Sequence, residues 1–462
     1  ACAFAVFWVM ASTVRAGGPA LVYLDGTDHL GYAYLADWLN GHLVTQPPVL
    51  DPGRPYDSWP ALLFQTDPRF GSFALVALVS AVTGQSGMFS YDPAAALVHV
   101  AAVLAVAGVF ARSPLTLGFL LAGLFTCHWF DYGRTGFLGK SIGYPATLAI
   151  LGLVLATLSE TEVRLSRLLA LVMLCLAAAI VHSGAVVALL IGVIGGGFLL
   201  VQGVVDRRAD LPWRLPGLMR KGAVLAALGA IALMAGGTIA RPLAVRYPDW
   251  GVTWPYILPR IAELESQGVG LSNLGPGMLW AATGLVFAAW VLFAGVALAR
   301  KLPEAVVVLV APLGLLASLY AVDAGAVTFQ LIGIFYPLTL AGFALVLDAL
   351  RDENNPARWV APRIAGLTLA VASVVLGLHL FRFAGATGRY GGGQTPAAAL
   401  FTRTEMDALA ALVGRDRVEV EVTGPQPAIV LLVELGRRGV ELQWSAEAWK
   451  TVFGYRKAWS PP

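Results

Sequence analysis

Long apolar runs alternate with shorter polar segments along most of the chain. A helix that crosses the hydrocarbon core of a bilayer needs about 20 consecutive, mostly apolar residues. Runs near that length recur and predict about 11 membrane-spanning helices. The predicted spans cover residues 1–15, 94–111, 115–130, 142–158, 168–182, 184–204, 222–240, 277–299, 303–321, 326–347 and 364–383. A shorter apolar run, Phe70–Thr83, predicts a half-crossing or interfacial helix.

The composition agrees with this pattern. Hydrophobic residues make up 58% of the chain and charged residues 13%, whereas soluble domains average about 45–50% and about 25%. The net charge of +3 gives no electrostatic footprint for nucleic acid. The three cysteines lie in apolar runs and indicate neither a disulfide framework nor a metal cluster. No cleavage site is followed by a soluble domain, so a cleaved signal peptide is not expected.

Basic residues in the short loops set the predicted orientation, because cytoplasmic loops carry an excess of Lys and Arg. Loops 205–221 and 348–363 and the pair Arg300-Lys301 fall on one predicted face, which is therefore expected to be cytoplasmic. The extracytoplasmic face receives the tail after residue 383 and three long loops, which are 16–69, 131–141 and 241–276. This assignment requires that Phe70–Thr83 does not cross the membrane.

The tail differs in character from the rest of the chain. After a glycine-rich linker, segments with apolar residues at helical spacing are followed in turn by segments with apolar residues at strand spacing. The predicted helices are 404–413, 427–437 and 446–453, and the predicted strands are 417–422 and 440–444. The predicted domains are a membrane domain, 1–383, and a small extracytoplasmic α/β domain, 384–462. The predicted fold class is an all-α polytopic membrane protein that carries this α/β domain.

Candidate chemistry lies in the first extracytoplasmic loop. The stretch Asp25-Gly-Thr-Asp28-His29 places two carboxylates and an imidazole where the chain leaves the first apolar run. A carboxylate at this position can act as a general base or bind a hard cation. Asp28 is also suited to be a helix N-cap, and the two roles do not exclude each other. For Asp25, turn formation in Asp-Gly is the favoured interpretation.

A short helix is predicted from Asp28 to Leu39, with Asn40-Gly41 as its C-terminal stop. Leu30, Tyr34 and Trp38 recur at helical spacing and form one apolar face. An amphipathic helix beside a membrane span can lie in the interface with its apolar face in the lipid. The helix is therefore expected to lie on the membrane surface.

The first loop after the first apolar run contains the segment Asp28-His29-Leu-Gly-Tyr32-Ala33-Tyr-Leu-Ala36-Asp-Trp-Leu-Asn-Gly41. It resembles the first loop of GT-C type membrane glycosyltransferases, which carry an Asp-Glu-x-x-Tyr-Ala-like signature there. The order of spans and loops and the extracytoplasmic C-terminal domain add to the resemblance. It implies an enzyme that transfers a sugar, with inversion, from a polyprenyl-phosphate donor to a glycan, lipid or protein acceptor. The expected location is the extracytoplasmic side of a bacterial inner membrane.

In this resemblance Asp28 takes the place of the essential acidic residue, whereas His29 stands where the signature often has Glu. Asp131, in the second extracytoplasmic loop, is a candidate counterpart of a further acidic residue. The departing lipid phosphate needs cationic partners, preferably arginine. Candidate cations for the donor phosphate share the predicted extracytoplasmic face and are Arg54, Arg69, Arg134, Lys140, Arg241, Arg246 and Arg260. A divalent cation, Mg²⁺ or Mn²⁺, bound by Asp25 and Asp28 is an open alternative.

Three other classes of protein stay open. A secondary transporter or lipid flippase would explain the spans, although such folds usually show internal repeats and charged or broken helices at the midplane. An O-antigen polymerase or ligase also transfers glycans in a membrane, but its large outward loop falls late in the chain. A non-enzymatic membrane scaffold for the tail is the fourth class.

Overall fold

The computed structural model describes part of the chain, and most of that part is helical. The described residues are 2–15, 20–22, 28–43, 46, 70–110, 113–126, 138–159, 165–181, 197, 276–300, 302–321, 325–351, 359–364, 366–367, 399–414, 418–420, 425–440 and 442–444. By their contacts the residues form two compact units. The first unit comprises 2–100, 132–139 and 395–462, and the second comprises residue 1, 101–131 and 140–394.

Most of the described elements are helices, and strands occur only near the two ends of the described chain. The N-terminal part contains α1 (Cys2–Arg15), β1 (Ala20–Val22), α2 (Asp28–Gly41), α3 (Phe70–Thr83), α4 (Gly87–Phe110), α5 (Pro114–Thr126), α6 (Leu138–Ser159) and α7 (Leu165–Val181). It is followed by α8 (Pro276–Ala299), α9 (Pro303–Ala321) and α10 (Gly325–Leu350). The tail contains β2 (Ala399–Thr402), α11 (Arg403–Val413), β3 (Val418–Val420), α12 (Pro425–Arg437) and β4 (Leu442–Trp444).

Helices occupy the predicted spans wherever the structure describes those residues, which confirms the helical character of the chain. α8, α9 and α10 begin and end within a few residues of the predicted spans. One described segment, Gly87–Ala105, is long and apolar enough to cross a membrane by length and composition. Because the buried core helix of a soluble protein passes the same test, the number of spans stays a prediction. The predicted spans 184–204, 222–240 and 364–383 lie almost entirely outside the described residues.

The short apolar run after the first loop forms α3, with the predicted bounds. Its 14 residues span about 21 Å at about 1.5 Å per residue, which is less than the roughly 30 Å of a bilayer core. α3 packs along α2, and Asn40 Nδ2 of α2 donates a hydrogen bond to Ser80 Oγ of α3 at 3.0 Å. The serine hydroxyl in turn donates to the carbonyl of Gln85 at 2.6 Å. These bonds satisfy polar groups at the junction between the two helices.

The structure corrects the predicted setting of α2. The predicted apolar face, Leu30, Tyr34 and Trp38, is buried, but so are Tyr32 and Leu35 on other sides of the helix. A helix that lies on a membrane keeps one polar side in water. α2 is enclosed by protein along this stretch, so the prediction of a surface helix is wrong for these residues.

The tail has the predicted order of helix, strand, helix and strand in its described part. β3 and β4 pair in parallel, with Val418 opposite Leu442 and Val420 opposite Trp444. Thr402 caps α11 in a reciprocal capping box with Glu405, whose carboxylate accepts the Thr402 N–H at 2.7 Å. This hydrogen bond lowers the pKa of Glu405. The predicted helix 446–453 and the predicted domain boundary after residue 383 lie outside the described residues.

The tail belongs to the same unit as the N-terminal elements. β2 pairs antiparallel with β1, which places Leu21 opposite Phe401. Phe89, in the first turn of α4, packs in an apolar cluster with tail residues. The buried tail residues of that cluster are Met406, Leu435 and Val440. The tail is therefore built onto the segment that contains the first loop.

In the second unit, the described helices α8, α9 and α10 pack on one another. The indole N–H of Trp290 in α8 donates to the carbonyl of Leu309 in α9 at 2.9 Å. The rings of Phe293 and Phe343 lie 4.2 Å apart between α8 and α10. Asp348, near the end of α10, accepts a hydrogen bond from Ser113 before α5 at 2.9 Å. Apolar packing and these hydrogen bonds join the described helices of this unit.

Candidate functional site

The structure gives the backbone position of only two of the predicted site residues. Asp28 is the first residue of α2, and Lys140 lies in the first turn of α6. The side chains of both lie outside the described residues. The other predicted site residues also fall outside the described part, and they are Asp25, Arg54, Arg69, Asp131, Arg134, Arg241, Arg246 and Arg260. The roles assigned to all of them stay predictions.

The acidic stretch joins two anchored elements. Upstream, β1 ends at Val22 and pairs with β2 of the tail. Downstream, α2 begins at Asp28 and is buried from Leu30 to Ala36. Residues 23–27 make the connection. The chain therefore enters and leaves the acidic stretch at positions that the fold holds on both sides.

The first half of α2 contacts the beginning of α6. Tyr32 lies one helical turn after Asp28, and its hydroxyl oxygen accepts a hydrogen bond from the Gly139 N–H at 3.3 Å. The Tyr32 ring lies 5.2 Å from the ring of Phe73 and 6.4 Å from that of Tyr91. This contact brings the end of the second predicted extracytoplasmic loop to the helix that Asp28 begins. The sequence predicts that the two loops share the extracytoplasmic face, and this hydrogen bond is the described contact between their ends.

Asp37, farther along α2, is a functional candidate that the sequence interpretation did not single out. Its Oδ1 accepts a hydrogen bond from the N–H of Gly87 at 2.7 Å, in the first turn of α4. Its Oδ2 forms an ion pair with Arg437, the last residue of α12. A carboxylate is favoured at a helix N-terminus, where the first N–H groups have no partner within the helix. Asp37 therefore links α2, α4 and the tail.

A second buried carboxylate lies beside this link. Glu434 of α12 is 1% exposed and accepts hydrogen bonds from Ser86 at 3.3 Å and from Arg438 at 2.7 Å. Arg438 also binds Asp407 of α11 at 2.9 Å. Paired guanidinium and carboxylate groups offset part of the cost of removing each charge from water. The result is a charged network across α2, α4, α11 and α12.

Burial raises the pKa of two side chains of α2, Tyr34 and Asp37. Burial raises the pKa of the Asp37 carboxyl, and the charge and hydrogen bond of Arg437 oppose that rise without cancelling it. Burial, assisted by the charge of Glu434, holds the pKa of Tyr34 well above its ordinary value. The Tyr34 hydroxyl makes no hydrogen bond to any of the described residues. The Arg437 guanidinium lies 5.8 Å from the centre of the Tyr34 ring, within the range of a cation–π contact.

The raised pKa of Asp37 predicts a pH-dependent effect of Asp37→Asn on stability. A folded-state pKa above the ordinary 3.8 means that ionisation of Asp37 costs folding free energy as the pH rises through the interval above 3.8. Asparagine stays neutral and keeps an oxygen for the Gly87 N–H. We expect the free energy of unfolding of Asp37→Asn, minus that of the parent, to increase from pH 4 to pH 7. Unfolding curves in detergent measure this difference, and a decrease would show that Arg437 outweighs burial.

The described residues contain no group of three or more His, Cys, Asp and Glu side chains that could hold a metal ion. The two carboxylates suggested for a divalent cation, Asp25 and Asp28, have side chains outside that described set. The cation therefore stays a prediction. No protein-family model matches the sequence, and no curated protein is significantly similar to it. The resemblance to GT-C enzymes thus depends on segment 28–41 and on the order of the elements.

Proposed function

We propose that this protein is an integral-membrane glycosyltransferase of GT-C type. It would transfer a hexose or pentose, with inversion, from a polyprenyl-phosphate donor to a glycan, lipid or protein acceptor. The reaction would take place on the extracytoplasmic face of a bacterial inner membrane. The observation that carries the proposal is the position of Asp28, which is the first residue of a helix that is buried from Leu30 to Ala36.

The surface of α7 supports a membrane environment. One side of this helix is buried in protein, with Leu171 0% exposed, while Leu169 and Met173 are 57% and 66% exposed. In water, the apolar side chains on the side of the helix that protein does not cover would stay exposed, which is unfavourable. Apolar residues all round a helix are typical of a helix in a core or a membrane. A lipid environment would cover the exposed apolar side.

The predicted roles follow from the chemistry of the transfer. The bond between the anomeric carbon and the donor phosphate oxygen breaks, and a bond from that carbon to the acceptor oxygen forms. Asp28 would take the acceptor proton as general base, a role worth about 10²–10⁴ in rate. The bonding electron pair leaves with the lipid phosphate, whose charge needs guanidinium or ammonium partners. Candidate partners are Arg54, Arg69, Arg134, Lys140, Arg241, Arg246 and Arg260.

An interfacial site suits the donor physically. The isoprenoid chain partitions into the hydrocarbon of the bilayer, whereas the charged phosphosugar stays in contact with water. The donor therefore presents its reactive bond at the lipid boundary. The acidic stretch follows the first predicted span and is therefore expected at this boundary. Asp25 and Asp131 are the secondary acidic candidates. A divalent cation would supply further charge stabilisation if Asp25 and Asp28 bind one.

A transfer assay with the full-length protein in proteoliposomes tests the proposal. We expect radiolabelled sugar to move from a polyprenyl-phosphate carrier to synthetic oligosaccharide or glycolipid acceptors, with release of polyprenyl phosphate. The same vesicles, supplied with a fluorescent carrier-linked sugar, report movement across the bilayer. Movement of the intact carrier without transfer to any acceptor would favour the transporter or flippase class and contradict the proposal. Protein-free vesicles provide the control.

A further inference from the structure

Two contacts of the tail bracket the acidic stretch. Upstream of it, β2 pairs with β1 and places Val22 opposite Ala399. Downstream of it, Arg437 pairs with Asp37 on α2. The same tail therefore holds the strand that leads into the acidic stretch and the helix that follows it.

The downstream contact is specific in geometry. Asp37 accepts the backbone N–H of Gly87 with one oxygen and binds Arg437 with the other. One helix of the protein is thereby tied to a fixed backbone group and to a side chain of the tail at once. A slip of α2 by one residue would rotate its side chains by about 100° and shift them by about 1.5 Å, which breaks both contacts.

The energetics of the pair favour a role in specificity. The pair is only partly buried, since the side chain of Asp37 is 9% exposed and that of Arg437 is 30% exposed. Such a pair adds little net stability, because the water that Asp37 loses offsets much of the attraction between the charges. Such pairs are best attested as devices that fix one register between elements. The neighbouring Glu434–Arg438 pair already joins residues of the tail to each other. Asp37–Arg437 instead joins the tail to α2.

We infer that Asp37 and Arg437 are positioning residues through which the tail fixes the register of α2 and so the position of Asp28. This inference rests on the proposed function for the role of Asp28, and neither residue of the pair touches the reacting atoms. A misplacement of a catalytic group by about 1 Å can cost about 10²-fold in rate. The tail is thus part of the reaction centre's support.

Hydrogen exchange tests the clamp without requiring activity. Full-length Arg437→Met in detergent is expected to exchange the amides of α2 at least about tenfold faster than the parent, because local opening becomes less costly. Arg351→Met removes an exposed arginine after α10 and is the matched control, expected to leave exchange in α2 unchanged. Arg437→Lys keeps a charge and is expected to restore most of the protection. Equal exchange in Arg437→Met and Arg351→Met would overturn the clamp.

Transfer kinetics test the consequence for Asp28. Arg437→Met is expected to lower kcat by about tenfold or more while KM for the lipid-linked sugar stays within about twofold, since positioning acts on the reacting geometry. Arg437→Lys should recover most of kcat. Faster exchange with an unchanged kcat would leave the clamp intact and overturn the positioning of Asp28. If the parent transfers no sugar, the proposed function fails, and exchange alone decides whether the tail fixes α2.

If Arg437→Met does not fold, Asp37→Asn replaces it as the test. Asparagine keeps an acceptor for the Gly87 N–H but cannot form the ion pair with Arg437. We expect Asp37→Asn to exchange the amides of α2 faster than the parent, with Arg351→Met again unchanged. Parent-like exchange in Asp37→Asn would then overturn the clamp.

Discussion

Replacement of Asp28 by asparagine is expected to lower the rate of sugar transfer by about 10²- to 10⁴-fold, with little loss of folded protein. The amide cannot accept the acceptor proton at neutral pH, so the general base is lost. Asparagine has nearly the same size and shape as aspartate at the first residue of α2, so little change in the start of the helix is expected. The substitution therefore tests the carboxylate with little change to the fold. Transfer by parent and variant in proteoliposomes, at equal protein, measures the effect.

Asp57→Asn is the matched control, because it removes another carboxylate of the same loop to which no role is assigned. It should transfer sugar at the parent rate. Asp28→Glu keeps a carboxylate on a longer side chain and should retain part of the activity. Parent-like transfer by Asp28→Asn would remove Asp28 from the reaction while leaving the membrane glycosyltransferase class open.

Gly87→Ala is expected to destabilise the folded protein by about 1–3 kcal/mol or more, as overpacking of a rigid contact does. A Cβ atom at Gly87 would overlap the carbonyl oxygen of Ala33 and lie 2.8 Å from its carbonyl carbon. Both atoms belong to the backbone of α2 and cannot rotate away. The helices α2 and α4 would have to separate, which would also stretch the hydrogen bond from Gly87 to Asp37. Thermal unfolding in detergent, followed by tryptophan fluorescence, measures the loss.

The control for this variant lies in the same helix. A Cβ atom at Gly108 meets nothing within 4 Å. Alanine is favoured over glycine in a helix by about 0.5–1 kcal/mol. Gly108→Ala is therefore expected to keep or raise the unfolding temperature. Equal effects of the two substitutions would show that the approach of α4 to α2 is looser than the distances imply.

The sequence predicts the helices well because their signal is local. Apolar runs and the breakers between them define α8, α9 and α10 almost to the residue, and the tail helices follow their own apolar period. The pairing of β1 with β2 has no such signal. Ala20–Val22 and Ala399–Thr402 are short apolar segments that resemble any other, and only their contact across the fold makes them strands.

The burial of α2 and the partners in the charged network could not be derived from the spacing of residues along the sequence. Tyr34 has the position expected of a lipid-facing residue, and its burial depends on partners distant in sequence. Asp37 appeared among the acids of the loop with nothing local to distinguish it. Glu434 gave the clearest signal, since a carboxylate that interrupts the apolar run Ile429–Val433 needs a partner when the helix is buried. Sequence thus indicates which charges are unusual, while the fold supplies their partners.

The pairing of the first strand with a strand near the end of the chain has a consequence for biosynthesis. A ribosome makes a chain from its N-terminus, so β1 emerges long before its partner, residues 399–402, has been synthesised. Contacts between residues so far apart in sequence form late, since the entropy of closing the intervening loop must be overcome first. The acidic stretch is therefore completed late, although it is translated well before the tail. A chain released before its tail is made would lack the strand that completes this region.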